Sequence, residues 1–313
     1  MTRHIMLTVV AATMLVAPAA VGGSALAKVP GPNGRILFVR DTRNCEGCHL
    51  TTINPDGTHP DRIPDGSGAG WSPDGSQIAS AWVAPDGRLT TAVMDADGSN
   101  QTVFDLPDPT LNLVCIVWSA DGTRLLCEGW DDERPHRAAG MFSVSATDGQ
   151  DLIRLTSNPY GGHDIPNDTS PDGTQIVFTR ENPQRTHRPL GTVVSDSDGS
   201  NATRIGPWIS HIGASWSPDG SRILTASKGS LWTMAPDGGG RTEVPLHAGG
   251  GFSYAVDGDW SPGGDRIVFS LYKSAANEFD LYTVGADGGQ IVQVTNTRPG
   301  EFAPDWGTAP LAT

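Results

Sequence analysis

Short runs of alternating apolar and polar residues recur along the chain at Gln77–Trp82, Arg124–Glu128, Gln175–Arg180, Arg222–Ala226 and Arg266–Tyr272. They are rich in β-branched residues, and each predicts a half-buried strand. A nearly constant phrase precedes each run: Trp71-Ser-Pro-Asp-Gly75, Trp118-Ser-Ala-Asp-Gly122, Thr169-Ser-Pro-Asp-Gly173, Trp216-Ser-Pro-Asp-Gly220 and Trp260-Ser-Pro-Gly-Gly264. Proline presets φ, aspartate bonds back to the backbone and glycine accepts positive φ, so the phrase predicts a tight turn between two strands. A second hairpin turn follows in every unit, at Asp95–Gly98, Ala146–Gly149, Asp196–Gly199, Ala235–Gly238 and Gly285–Gly288. Each unit therefore reads strand, turn, strand, loop, strand, turn, strand.

Successive phrases are 47, 51, 47 and 44 residues apart. Four short strands repeated at that period predict a β-propeller. The two ends supply one more unit. Pro32–Phe38 reads as a turn and second strand without its first strand, and Glu301–Trp306 reads as a first strand with nothing after it. Trp306 stands 46 residues beyond Trp260, one further period. The fold expected is all-β: a six-bladed propeller of four-stranded antiparallel blades, closed by N- and C-terminal segments sharing one blade. That closure removes free sheet edges.

Residues 1–27 fall outside this pattern. Arg3 and His4 precede an apolar run from Ile5 to Val21 and then Ala25-Leu-Ala27, the form of a cleavable secretory signal peptide. The expected mature chain, 28–313, is a single propeller domain in the secreted or periplasmic space, with no membrane span. The chain has 35 acidic against 21 basic residues and a net charge of −14. This excludes nucleic acid as a natural partner, because such binding needs a basic footprint. Most of the acidity follows from the aspartate in each turn.

The Trp-Ser-Pro-Asp-Gly phrase with its downstream Asp-Gly turn resembles the TolB-type six-bladed propeller. Arg154-Leu-Thr-Ser-Asn-Pro159 and Val294-Thr-Asn-Thr-Arg-Pro299, each preceding the first strand of the next blade, carry the same resemblance. It covers roughly Pro30 to Trp306 and implies the propeller fold while saying little about activity. TolB carries an α/β domain ahead of its propeller, for which this chain leaves no room, so TolB partners do not transfer. Prolyl oligopeptidase-type enzymes attach a related propeller to a hydrolase domain, but no Gly-x-Ser-x-Gly elbow occurs here.

Function is expected where the repeats differ. One propeller face holds the short Asp-Gly turns. The other holds the variable connections, including 41–49, 130–140, 181–191 and 273–278, and loops on a rigid scaffold are the usual place for binding. On that face Trp130, Asp164 and Arg185 are candidate ligand contacts. Aligning the segments ahead of each first strand puts His163, His211 and Glu301 at one offset. Two imidazoles and a carboxylate are competent divalent-metal ligands. Related propellers of pectate-degrading lyases bind metal, which gives an enzyme alternative: a metal-dependent hydrolase or polysaccharide lyase at the channel mouth.

Cys45-Glu-Gly-Cys48-His49 matches the attachment pattern of c-type haem, with Cys45 and Cys48 as thioether sites and His49 as iron ligand. It also reads as a short Cys45–Cys48 disulfide stiffening a loop in an oxidising compartment. Cys115 and Cys127 flank the Ser119–Gly122 turn and are expected to form a cross-strand disulfide. The function expected from the sequence is a secreted, monomeric, cofactor-free and non-catalytic propeller that binds a protein or cell-envelope ligand on its variable face.

Overall fold

In the computed structural model the described residues are 30–40, 48–63, 66–133, 139–184, 190–209, 213–248, 252–274, 277–298 and 300–313. The leader segment, Cys45, Arg185 and His211 lie outside them.

Among the described residues the strands form six four-stranded sheets and one short parallel pair, Leu246–His247 with Gly289–Gln290. The six larger sheets are the blades. Each is an antiparallel meander radiating from a central axis. From inner to outer strand, blade 1 is Ala69–Trp71, Gln77–Val83, Leu89–Asp95 and Thr102–Val103; blade 2 is Asn112–Trp118, Arg124–Trp130, Gly140–Ser145 and Ile153–Arg154. Blade 3 is Asp164–Thr169, Gln175–Glu181, Leu190–Asp196 and Thr203–Ile209; blade 4 is Ala214–Trp216, Ile223–Ser227, Ser230–Met234 and Thr242–Glu243. Blade 5 is Phe252–Trp260, Arg266–Lys273, Glu278–Gly285 and Val292–Gln293. Blade 6 takes its inner strand, Glu301–Trp306, from the C-terminal end and the rest, Ile36–Arg40, His49–Ile53 and Asp61–Ile63, from the N-terminal end. Trp306 pairs with Ile36. The predicted closure is thus observed.

The recurrent phrase works as expected. In blade 1, Ser72 Oγ accepts the Gln77 N–H at 2.9 Å and donates to Asp74 Oδ1 at 2.7 Å. Asp74 Oδ1 also accepts the Ser76 N–H, and Gly75 sits at φ 71°. The same bonds recur around Asp121, Asp172 and Asp219. In Trp260-Ser-Pro-Gly-Gly264 the aspartate is missing. Ser261 Oγ there donates to Asp265 Oδ1, and the Gly263 N–H goes to Asn33 Oδ1 of the closing blade.

The tryptophans end the inner strands and are core. Trp71, Trp118, Trp216, Trp260 and Trp306 are fully buried, packed with aliphatic residues between neighbouring blades. Cys115 and Cys127 are register partners on the inner two strands of blade 2 and form the expected disulfide, with sulfurs 2.05 Å apart. No helix long and apolar enough to cross a membrane occurs among the described residues.

Candidate functional site

The connections leading into the inner strands and those between second and third strands share one face, here the loop face. Six structurally equivalent residues end the inner strands, and their partners Ile78, Leu125, Ile176, Ile223, Ile267 and Ile36 set a common register. Three positions beyond these partners the second strands carry Ala81, Glu128, Thr179, Ala226, Ser270 and Val39. Five positions beyond them the described residues are Val83, Trp130, Glu181, Lys228 and Tyr272. Side chains two apart share a sheet face. Blade 2 therefore presents a carboxylate and an indole on the same side, toward blade 3.

His163, immediately ahead of the inner strand of blade 3, meets both. Its Nδ1 lies 2.6 Å from Glu128 Oε1, and its ring centroid is 5.6 Å from that of Trp130 at an interplanar angle of 62°. The pair keeps solvent contact, with side-chain exposures of 32% for His163 and 23% for Glu128. Burial alone would lower the His163 pKa. The hydrogen bond and charge of Glu128, helped by Glu181 and Asp164, reverse that effect and raise it. The His163 N–H donates to Glu181 Oε2 at 3.2 Å, and the Glu181 N–H donates to the His163 carbonyl at 2.8 Å. Trp130 Nε1 donates to Asp132 Oδ1 at 3.0 Å, fixing the ring.

Asp164, expected to contact ligand, is wholly buried. Arg180 grips both its oxygens at 2.7 Å, and Thr156 Oγ1 donates to Oδ2 at 2.7 Å. Glu301 has the same surroundings in blade 6. It pairs in register with Arg40 as Asp164 does with Arg180, and it accepts hydrogen bonds from Thr295 Oγ1 and Thr297 Oγ1. The register thus equates Glu301 with Asp164, one residue away from the alignment that matched it to His163. Glu301 is fully buried within blade packing and belongs to the blade opposite His163 in the ring. Among the described residues no group of three or more His, Cys, Asp or Glu is placed to hold a metal ion. Cys48 is disulfide-bonded, its expected partner Cys45 lying outside the described residues; His49 heads the third strand of blade 6, half-buried.

Sequence reading missed Glu128 and Glu181. It also missed an aromatic row on blade 5, where Tyr254 and Tyr272 stack at 4.9 Å and continue through Phe279 to Phe302 of blade 6. Tyr272 holds the register position of Trp130. Aligning second strands, as well as turn phrases, would have brought out Glu128, Glu181 and Tyr272.

No family model matches the chain, and no curated protein matches it. Solved structures do. The fold is similar to TolB from Acinetobacter baumannii, with a TM-score of 0.69 and 18% identity over 87% of this chain and 66% of that one. It is also similar to a putative TolB from Agrobacterium tumefaciens, with a TM-score of 0.58 and 18% identity over 85% and 90% of the two chains. The fold is that of a TolB-like β-propeller. This chain spans just under two thirds of the Acinetobacter protein. The fold is also similar, less closely than to the Acinetobacter protein, to that of an oligogalacturonate lyase in complex with manganese, with a TM-score of 0.54 and 15% identity over 80% of this chain and 71% of that one.

Proposed function

We propose that this TolB-like propeller is a cofactor-free, non-catalytic binding module of the cell envelope that engages a protein partner through the loop face of blades 2 and 3. The observation that carries this reading is the departure from the repeat at one place. Where other second strands offer Ala, Val, Ser or Thr, blade 2 offers Glu128, and His163 meets both it and a half-buried Trp130 at the surface. A tryptophan with one apolar side and one polar tip, ringed by charged groups, is the composition of a protein-recognition hot spot. The likeness to TolB structures and the secretory form of residues 1–27 support an envelope location.

The test is site-specific photocrosslinking in envelope extracts of a native-type host. A crosslinker at position 130 is compared with one at Asp97 on the turn face. The expected result is one saturable adduct from position 130, competed by unlabelled protein and absent from position 97. Equal labelling at both positions would refute the loop-face reading. A Soret band on the purified exported protein would refute the cofactor-free part of it.

A further inference from the structure

The environment of His163 is that of a bound cation. Its imidazole lies 2.6 Å from Glu128, with its ring against the indole of Trp130, and its backbone N–H is taken by Glu181. Asp164, the remaining nearby carboxylate, is buried, ion-paired with Arg180 and hydrogen-bonded by Thr156. Glu128 and Glu181 are thus the acidic groups left to a cation at this spot, and Asp132 is committed to Trp130 Nε1 and Asn112 Nδ2. A carboxylate beside an aromatic ring suits an ammonium or guanidinium. The slot already accepts a ring that can carry positive charge, with the His163 Nδ1 2.6 Å from Glu128 Oε1.

Resting on the loop-face reading, we propose that this slot recognises a basic side chain, lysine or arginine, of a protein partner, and that His163 is its built-in competitor, seated when protonated and released when neutral. The charges facing His163 come from both elements packed around it: Glu128 from the second strand of blade 2, and Glu181 and Asp164 with its partner Arg180 from blade 3. The imidazolium fills the slot below the His163 pKa, which Glu128 holds above the ordinary histidine value. Above it the neutral ring loses its ionic hold, and Glu128 is left without a countercharge among the described residues. Affinity for a basic group therefore rises with pH. The net charge of −14 steers positively charged partners toward the molecule without choosing the site.

The experiment uses the mature full chain with fluorescent hexaarginine and hexaglutamate, between about pH 5.5 and 8.5, where histidine titrates. Two readouts are followed: affinity, and the Trp130 indole N–H resonance, which isolates this slot from general attraction to an acidic protein. Hexaarginine is expected to bind roughly tenfold tighter at the upper pH and to shift the Trp130 resonance. His163→Gln should give the high-pH affinity at both values. Glu128→Gln should weaken binding roughly tenfold and flatten its pH dependence. Asp287→Asn, on the turn face, should leave both readouts unchanged, and near-UV circular dichroism checks that each variant is folded. Binding that ignores pH or is the same in His163→Gln and wild type would overturn the proposal. So would equal binding of hexaglutamate, or displacement of hexaarginine by micromolar manganese, which would make the slot a metal site. Failure of hexaarginine with photocrosslinking at position 130 intact sinks this inference and leaves the loop-face reading standing. Hexaarginine binding with that crosslinking lost would sink the loop-face reading and, with it, the protein partner, leaving only the chemistry of the slot.

Discussion

The backbone N–H of Trp71 donates to Oδ2 of Asp305 at 2.7 Å, joining the first complete blade to the last strand of the chain. The same bond joins Trp216 to Asp168 and Trp306 to Asp259, also at 2.7 Å. All three carboxylates are buried, at 0–1% exposure, so each stands at an interior seam between blades. Elsewhere the residue before the inner-strand terminus is Gly70, Val117 or Ser215, and Ser215 Oγ donates to Asp259 Oδ1 at 2.8 Å.

Asp305→Ala leaves the buried Trp71 N–H without its acceptor at the seam that closes the ring. The expected loss of stability is about 1–3 kcal/mol, the cost of an orphaned buried donor. Urea unfolding monitored by tryptophan fluorescence measures it. A midpoint within error of wild type would show that the seam is held by packing alone.

The Cys115–Cys127 disulfide spans a separation of 12 residues inside blade 2, with Cys127 in the second strand that also carries Glu128 and Trp130. Cross-linking a loop of that length stabilises by about 3 kcal/mol in the chain-entropy account. Cys115→Ser with Cys127→Ser is expected to lower stability by about that amount. In wild type, both sulfurs being fully buried, reductant should act only under conditions that open the blade. Thiol labelling against denaturant concentration checks this, and rapid labelling of the native protein under mild reductant would contradict it.

The two motif segments that carry the TolB resemblance do the same structural work. Thr156 Oγ1 accepts the Met141 N–H and donates to Asp164; Thr295 Oγ1 accepts the Leu281 N–H and donates to Glu301. Each threonine ties the third strand of one blade to the head of the next blade's inner strand. Thr156→Val keeps the shape and removes both bonds, so a loss of roughly 1–3 kcal/mol is expected. The same substitution at Thr295 should cost a similar amount. Thermal unfolding of both variants is the measurement, and a neutral effect at both sites would remove the physical meaning given to the motif.

The turns were legible because their chemistry is local: Ser72, Asp74 and Gly75 satisfy one another within four residues. Closure was legible because Trp306 keeps the period. The site was only half legible. His163 could be picked out by type, but Glu128 lies 35 positions earlier and meets it only through the stacking of blade 3 on blade 2. Glu301 was placed one position off because the alignment was anchored on Pro166 and Pro304, which stand three and two residues before the inner-strand ends Thr169 and Trp306. Both inner strands carry one extra residue against their partners, between Pro166 and Asp168 in blade 3 and between Phe302 and Asp305 in blade 6. A bulge shifts register without leaving a mark in composition.

Asp257 stands at such a bulge in blade 5, at φ 46° and only 6% exposed. Burial raises its pKa from 3.8 to about 7, against the opposing hydrogen bond from the Ala303 N–H, and its Oδ2 has no hydrogen-bond partner among the described residues. Burial likewise raises Glu301 from 4.5 to about 7, against the lowering effects of Thr297, Thr295 and Arg40. The folded state thus holds protons that the unfolded state has released between about pH 4 and 7. These groups' contribution is fully present below their unfolded pKa values and is lost as pH rises through about 7. The turn aspartates Asp74, Asp121, Asp172 and Asp219 act oppositely. Serine hydroxyls hold their pKa values below 3.8, and their contribution disappears as pH falls through the lowered values. Stability should therefore be greatest on the acid side of neutrality. Asp257→Asn retains the acceptor for Ala303 and cannot ionise. It is expected to be nearly neutral at about pH 4.5 and to stabilise by about 1–3 kcal/mol at about pH 8, the range for relieving an uncompensated buried group. Denaturant titrations at the two pH values decide it: an effect of equal size at both would mean that Asp257 is not the group whose ionisation weakens the fold.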